Sequence, residues 1–427
     1  MRTTLIGVII LLLGLLVGCD SINSNKSASD KPIIIDKYLA ASLGKKHLEA
    51  LALDSADRHC VNKVNEFAFT LLHQIAIDKD SSFVVAPLSL ASAIAVAANG
   101  AVGEVRDSLE QVFGPIINAN AFYKKYMAAL PHNDYTDCLI LNYLAANTDA
   151  PILDAFSQTV SASYSVCVKN HDFSKKKTVN KINDWFHQQS LDDKIKVIEK
   201  LDPESSLCLI NALEFNALWP PFKEENTHLK AFETAWGEYL KIPIMHNEEA
   251  NLPYVDREEF QAVSIPYYGS CYRMLIVLPK TEKLATFSQS MTLESFHEIL
   301  DSLTEPVTVI LDLPRFKCES NLSMMKLLKK SLPSVFNQED VYFNAIVDDP
   351  INSLKLKEID HKTSIEVNEK GTRAFSVTQG SWVLISIMPE FIANHPFLYF
   401  VYDEATRAIL LMGQFCGDGA MYDEENN

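Results

Sequence analysis

The chain has 427 residues, 48% of them hydrophobic and 22% charged, a balance that supports a large buried core. Its formal net charge of −17 argues against nucleic acid or anionic lipid headgroups as partners. The one basic run, Lys175-Lys176-Lys177, is too short to offset that charge and reads as a solvated turn.

The N-terminus has the form of an export signal. Arg2 supplies a basic start, and Leu5 to Val17 is an apolar run too short to span a bilayer comfortably. It ends in Leu16-Val17-Gly18-Cys19, which resembles a bacterial lipobox. The implied chemistry is diacylglyceryl transfer to the Cys19 thiol, cleavage before Cys19 and acylation of the new amine, which gives a stable membrane anchor. The alternative is a plain secretory signal with an incidental cysteine. Residues 1–18 are thus expected to be a signal peptide. Residues 19–57 follow as the lipidated cysteine and a flexible tether, because "SINSNKSASDKP" is rich in Ser, Asn and Lys. Within it, Ile33 to Leu53 has the makings of a weak helix. Seven cysteines remain (Cys60, Cys138, Cys167, Cys208, Cys271, Cys318, Cys416), scattered, with no CxxC pair and no histidine at metal spacing. They read as small apolar core residues, with no metal, no cofactor and no disulfide framework expected.

The globular part is expected from about residue 58. Val64, Phe67, Ala68, Leu71 and Ile75 recur at helical spacing. "SSFVVAPLSL" gives a short strand and then Pro87 at a helix start, and that helix is apolar all round and ends at Asn99-Gly100. Gly103 to Phe113 is a further helix stopped by Gly114-Pro115. Later helices are expected at 151–163, 177–190, 293–303 and 321–331. Strands are expected at Cys138–Ala146, Leu207–Phe215, Ala262–Pro266, Cys271–Leu278, Val307–Leu313, Leu354–Val367, Pro396–Tyr402 and Ala408–Phe415. Helices gathered early and strands mixed later indicate an α+β fold. No composition shift interrupts 58–416, so one domain is expected there. "GDGAMYDEENN" reads as an acidic disordered tail over 417–427.

One segment fits no ordinary element. After Gly371, alternate residues Thr372, Ala374, Ser376 and Thr378 form a uniformly small face, while Arg373, Phe375, Val377 and Gln379 form the other. A strand with a small face can slide between existing strands over a packed core. Gly371 supplies a hinge. The pattern suits a segment that is a loop in one state and a strand in another; a plain polar loop is the alternative.

These residues resemble the serpin family over roughly residues 60 to 416. "LKEIDHKTSIEVNEKGTRAFS" is similar to the strand and hinge of inhibitory members, carrying Glu369, Gly371, Thr372 and Ala374, with Ser376 beyond. "FIANHPFLYFVYDEATRAILLMGQF" resembles the C-terminal signature, with His395-Pro396-Phe397 and Met412-Gly413. "FVVAPLSLASAIAVAANGAVGEVRDSL" resembles the early strand and buried helix, with Pro87, Ser89 and Gly100. "KINDWFHQQSLDDKI", "LINALEFNALWPPF" and "LPRFKCES" resemble three further segments, carrying Asn183, Trp185, Asn211, Trp219, Pro314 and Phe316. The resemblance implies three β-sheets, about nine helices and an exposed reactive-centre loop. It implies an inhibitor of serine or, alternatively, cysteine-type proteases rather than an enzyme. The spacing from Gly371 to Pro396 puts the scissile bond at Ile385-Ser386, and a slip of one residue would make it Leu384-Ile385. Val383, Leu384 and Ile385 form an apolar bait for elastase-like or subtilisin-like proteases, and Trp382 is either an exosite contact or a loop cap. The implied molecule is a monomer whose partners are a protease and, through Cys19, a membrane, at the periplasmic face or cell surface.

Some residues depart from the family pattern. Phe375 stands where small residues are usual, Gly380 weakens an inserted strand, Ala86 replaces a common Ser, and "FNALW" replaces Phe-Lys-Gly-x-Trp. A non-inhibitory member, acting as a binding or folding-helper protein, is therefore the second reading. A hydrolase built from Ser386, His395 and Asp403 is the third; it lacks a nucleophile elbow and an oxyanion hole.

Overall fold

The computed structural model describes residues 37–77, 80–190, 197–219, 222–281, 283–336, 343–347, 359–372 and 388–422. The chain opens with α1 (Lys37–Ala50), α2 (Ser55–Ala76), β1 (Phe83–Val85), α3 (Pro87–Ala98), α4 (Gly103–Phe113) and α5 (Ile116–Ala129). Next come β2 (Thr136–Asn147), α6 (Asp154–Tyr164), β3 (Val166–His171), α7 (Lys177–Gln189) and β4 (Leu207–Leu218). A strand-rich block follows: β5 (His228–Glu233), β6 (Tyr239–Asp256), β7 (Phe260–Pro266), β8 (Tyr272–Pro279), α8 (Leu284–Ser290), α9 (Leu293–Ser302), β9 (Pro306–Pro314) and β10 (Phe316–Ser323). The chain closes with α10 (Met324–Ser331), α11 (Pro333–Phe336), β11 (Ile359–Val367), β12 (Gly371–Thr372), β13 (Glu390–Ile392), β14 (Phe397–Asp403) and β15 (Ile409–Phe415).

Local chemistry explains the main boundaries. Asp54 caps α2 by accepting from Asp57 N–H at 2.9 Å, and Asp57 returns the bond to Asp54 N–H. α3 carries no charged residue, has Pro87 at its first turn, and buries all twelve of its residues. β14 and β15 are buried along their whole lengths, which fits their unbroken apolar runs FLYFVYD and ILLMGQF. Gly413 in β15 is required by close approach, since a Cβ there would meet the Phe83 carbonyl and the Tyr399 ring.

One sheet has the path β10-β11-β4-β2-β3, with β12 also on β4. The other runs β1-β15-β14-β8-β7-β6-β9-β13, with β5 on β6. The three sheets implied by the resemblance are present, but the 18-residue β6 joins two of them, pairing with β5, β7 and β9 along its length. The main core fills the space between these sheets and α2, α3, α5 and α6. A second apolar cluster lies on the opposite face of the six-stranded sheet, where Ile182 and Phe186 of α7 cover Cys208, Ile210 and Ala212 of β4. The architecture is α+β in one domain.

The sequence expectations mostly match within a few residues, and 321–323 end β10 rather than starting a helix. Within the stretch expected to be a tether, residues 37–50 form α1, with Ala40 and His47 buried against the body. In the expected tail, Lys317 N–H donates to the Gly419 carbonyl at 2.8 Å and Met421 N–H to the Arg315 carbonyl at 3.0 Å. Six cysteines carry buried thiols.

Candidate functional site: a split sheet with a hinge at its open end

β4 pairs with β2 along its whole length, from Leu207↔Ala146 to Ala217↔Thr136. Its other edge is different. β11 lies parallel to it over only four residues, Ile359↔Leu209 to Lys362↔Ala212. Above Lys362, β11 stays with β10 up to Phe316↔Val367 and leaves β4. Residues 213–216 of β4 therefore face a slot, and among the described residues no strand pairs with them on that side.

The chain turns back at the mouth of the slot. Asn368 and Gly371 exchange backbone bonds of 3.0 and 3.1 Å across Glu369-Lys370. Gly371 and Thr372 then pair antiparallel with Leu218 and Ala217 of β4. The first two residues of the small-faced segment have thus already begun a strand in the slot. Gly371 has φ +130°, and a Cβ there would meet the Ala217 carbonyl and lie 2.9 Å from Leu218 Cα and Trp219 N. Only glycine fits both the angle and the approach.

The turn is anchored on buried polar contacts. Glu369 is 4% exposed, and its Oε1 accepts from Thr227 Oγ1 at 2.7 Å and faces Arg315 Nη1 at 3.6 Å. Its carbonyl accepts from Phe222 N–H at 2.9 Å. Lys370 reaches Glu224 at 2.9 Å on the surface. Trp219 is fully buried beside the hinge, stacked on Tyr267 at 5.8 Å and edge-on to Phe222 at 6.0 Å.

A polar latch sits at the closed end, at the pair His361↔Asn211. His361 Nδ1 lies 3.3 Å from Asn211 Oδ1, and its Nε2 accepts from Ala86 N–H at 3.2 Å. Thr363 Oγ1 is 2.8 Å from the same Nε2. This pattern assigns the proton to Nδ1 of a neutral ring. Asn211 Oδ1 also accepts from Ser89 Oγ at 3.0 Å, and Asn211 Nδ2 donates to Asn142 Oδ1 at 2.9 Å. Asn142 in turn donates to the Tyr164 carbonyl at 3.2 Å. Complete burial holds His361 down to about 4. The latch ties β11, β4, β2, α3 and α6 together at the point where the sheet would open.

Of the hinge residues expected from sequence, Glu369, Gly371 and Thr372 meet at the slot mouth. Ala374, Ser376, the bond Ile385-Ser386 and Cys19, expected to be lipidated, lie outside the described residues. Sequence reading placed Ser89 and Asn211 in family segments but missed His361, Thr363 and Asn142. His361 sits in the quoted "EIDHKTSIEV" run, where a buried position alternating with apolar residues was the available signal. His395 and Asp403 do not come together as a catalytic pair. His395 contacts the Pro279 carbonyl at 2.6 Å and Asn394 Oδ1 at 2.9 Å, while Asp403 is fully buried on Cys271 at 3.2 Å.

These features define a class: a single-domain α+β protein in whose six-stranded sheet β11 parts from β4 after Lys362, while Gly371 and Thr372 pair with the top of β4. The family model Serpin, serine protease inhibitor, matches residues 62–417. The chain belongs to the serpin family, whose members are generally protease inhibitors rather than enzymes. It is 27% identical over 376 residues to an uncharacterized serpin-like protein of Thermococcus kodakarensis, covering 84% of this chain and 86% of that one. It is also 27% identical to Iripin-2 of Ixodes ricinus, covering 82% and 91%. Among solved structures, the native state of the thermophilic serpin tengpin superposes with a TM-score of 0.75 at 25% identity, covering 84% of this chain and 94% of that one. Thyroxine-binding globulin in complex with thyroxine reaches the same TM-score at 21% identity, a likeness of fold alone, covering 84% and 99%.

Proposed function

We propose that this serpin is a suicide inhibitor of serine proteases with apolar primary specificity, of the elastase-like or subtilisin-like kind. The observation that carries the reading is the pairing of Gly371 and Thr372 with the top of β4 above an open slot. A protease that attacks the Ile385 carbonyl forms an acyl-enzyme and frees the new C-terminus from Ser386. The freed segment extends the strand begun at Gly371. Thr372 to Ile385, fully extended, spans about 45 Å at ~3.3 Å per residue, enough to carry a tethered protease to the opposite pole. Distortion of the protease there stops hydrolysis of the ester, and the native fold acts as a kinetic trap released by cleavage. Cys19 supplies a lipid anchor on the outer side of a membrane, so the chain protects its host from proteases in the surroundings as a tethered monomer.

The test is to mix the purified chain with pancreatic elastase, subtilisin and a papain-like protease. An SDS-stable complex with a released C-terminal peptide beginning at Ser386 is the expected result. Cleavage in the loop by all three enzymes without any covalent complex would overturn it in favour of a non-inhibitory binding or folding-helper role.

A further inference from the structure

α1 precedes the region shared with the family, and it meets the body at a buried polar cluster. His47 near its last turn is 5% exposed, Cys271 just before β8 is 8% exposed, and Asp403 at the end of β14 is fully buried. His47 Nδ1 lies 3.1 Å from Cys271 N and 3.2 Å from Cys271 Sγ. Cys271 Sγ lies 3.2 Å from Asp403 Oδ1. One imidazole nitrogen, one sulfur and one carboxylate oxygen thus fall within 4.8 Å of one another, brought from three separate elements. Tetrahedral zinc has bonds of ~2.0–2.3 Å, which places its donor atoms roughly 3.3–3.8 Å apart. The cluster needs only small shifts to close on such an ion.

Charge and hydrogen bonding point the same way. Asp403 accepts from Ala405 N–H at 2.8 Å, Thr406 N–H at 3.3 Å, Tyr126 OH at 3.4 Å and the Cys271 thiol, all neutral groups. A buried carboxylate held by neutral donors alone is costly.

We propose that His47, Cys271 and Asp403 form a structural site for a divalent ion of the zinc class, bound through Nδ1, Sγ and a carboxylate oxygen. On binding, the Sγ–H bond breaks, its proton passes to solvent, and the sulfur lone pair goes to the ion. Thiolate and carboxylate then balance the two positive charges, and the neutral imidazole gives up the lone pair it shares with Cys271 N–H. Nitrogen and sulfur donors favour zinc over magnesium or calcium, which take oxygen ligands. The ion would staple α1 to β8 and β14. The expectation of no metal came from sequence spacing, and these three residues are too far apart in the chain for spacing to reveal them.

The test uses the full chain stripped with a chelator, with Co²⁺ as the spectroscopic probe and Zn²⁺ for thermal melting. The expected result is a thiolate-to-cobalt charge-transfer band at one equivalent, release of one proton per ion, and a melting midpoint that rises with Zn²⁺ and falls back on chelation. Cys271→Ser removes the band, and His47→Asn weakens binding by at least the roughly tenfold that loss of even an outer-sphere partner costs. A wild-type chain with no band and no zinc-dependent midpoint overturns the proposal, and so does a band that survives Cys271→Ser. The wild-type readings do not depend on any variant folding.

Discussion

His361 makes the latch sensitive to pH, and the size of the effect can be worked out. The ring is neutral and completely buried in the native state, with its pKa held at about 4 against an ordinary 6.5. The unfolded chain therefore binds a proton between those two values that the native chain does not. The contribution of His361 to stability is fully present above 6.5, falls as pH drops through the window, and levels off below about 4. Between pH 7.5 and pH 5 the loss is about 2 kcal/mol, and the full shift is worth about 3 kcal/mol. Wild-type stability alone does not isolate this term. His47, also lowered to about 4, adds a loss of the same sign, and Asp403, raised to about 6, acts in the opposite sense over an overlapping range. The measurement is therefore a difference: urea midpoints of wild type and His361→Gln across that range. The variant lacks the titrating ring, so its deficit should be largest near pH 7.5 and shrink by about 2 kcal/mol by pH 5. Curves that stay parallel from pH 7.5 to 5 would refute the assignment of a buried neutral histidine to the latch.

Three further outcomes are expected. Gly371→Ala forces a Cβ into the β4 backbone and should lower native stability by about 1–3 kcal/mol in chemical denaturation, with the hinge turn losing hydrogen-exchange protection. Glu369→Ala removes the buried carboxylate addressed by Arg315 and Thr227 and should cost about 3 kcal/mol in the same assay, whereas the exposed Glu224, opposite Lys370, should cost under about 1 kcal/mol when changed to Ala. On the proposed mechanism, Ala374→Arg should make the chain a substrate rather than an inhibitor, seen as a rise in the moles of chain cleaved per protease inactivated, while Phe375→Ala should leave that ratio unchanged or lower it.

What the sequence revealed depended on whether the signal was local. α4 was placed at its observed limits, Gly103–Phe113, because glycine and Gly-Pro punctuate both ends. α3 was evident from an all-apolar run after Pro87. The hinge was evident from alternation of small residues, a period-two signal. β5 and all of β6 were missed because β5 is largely exposed and β6 mixes buried and exposed residues without regular alternation along its 18 residues. α1 falls inside the weak helix expected over Ile33–Leu53, but its polar composition gave no sign of a packing role, and Ala40 packs with Leu43 on Tyr135 and Leu218. The latch was the least legible feature. Ser89, Asn142, Asn211 and His361 are polar residues inside apolar strands or helices, and only the fold brings them into one network.

The register at β12 orders the events of loop entry. Carried on from Thr372↔Ala217, residues 373–376 come opposite 216–213, in the part of the slot that is already open. They require no existing pair to break. Residues 377–380 come opposite 212–209, the four positions now held by β11, with Thr378 opposite Asn211 itself. On the proposed mechanism, entry thus meets no β11 pair for four residues and then reaches the latch. The register also separates the faces. Leu213 and Ala217 point into the main core, so Thr372, Ala374 and Ser376 would share that crowded side, where only small groups fit. Phe375 would lie beside Glu214 on the opposite face, away from that core. A large residue is tolerable there, so Phe375 does not argue against an inhibitory member. Gly380 would arrive beside Leu209, beyond the latch, where a weaker strand costs least because the pairs on either side of it have by then formed.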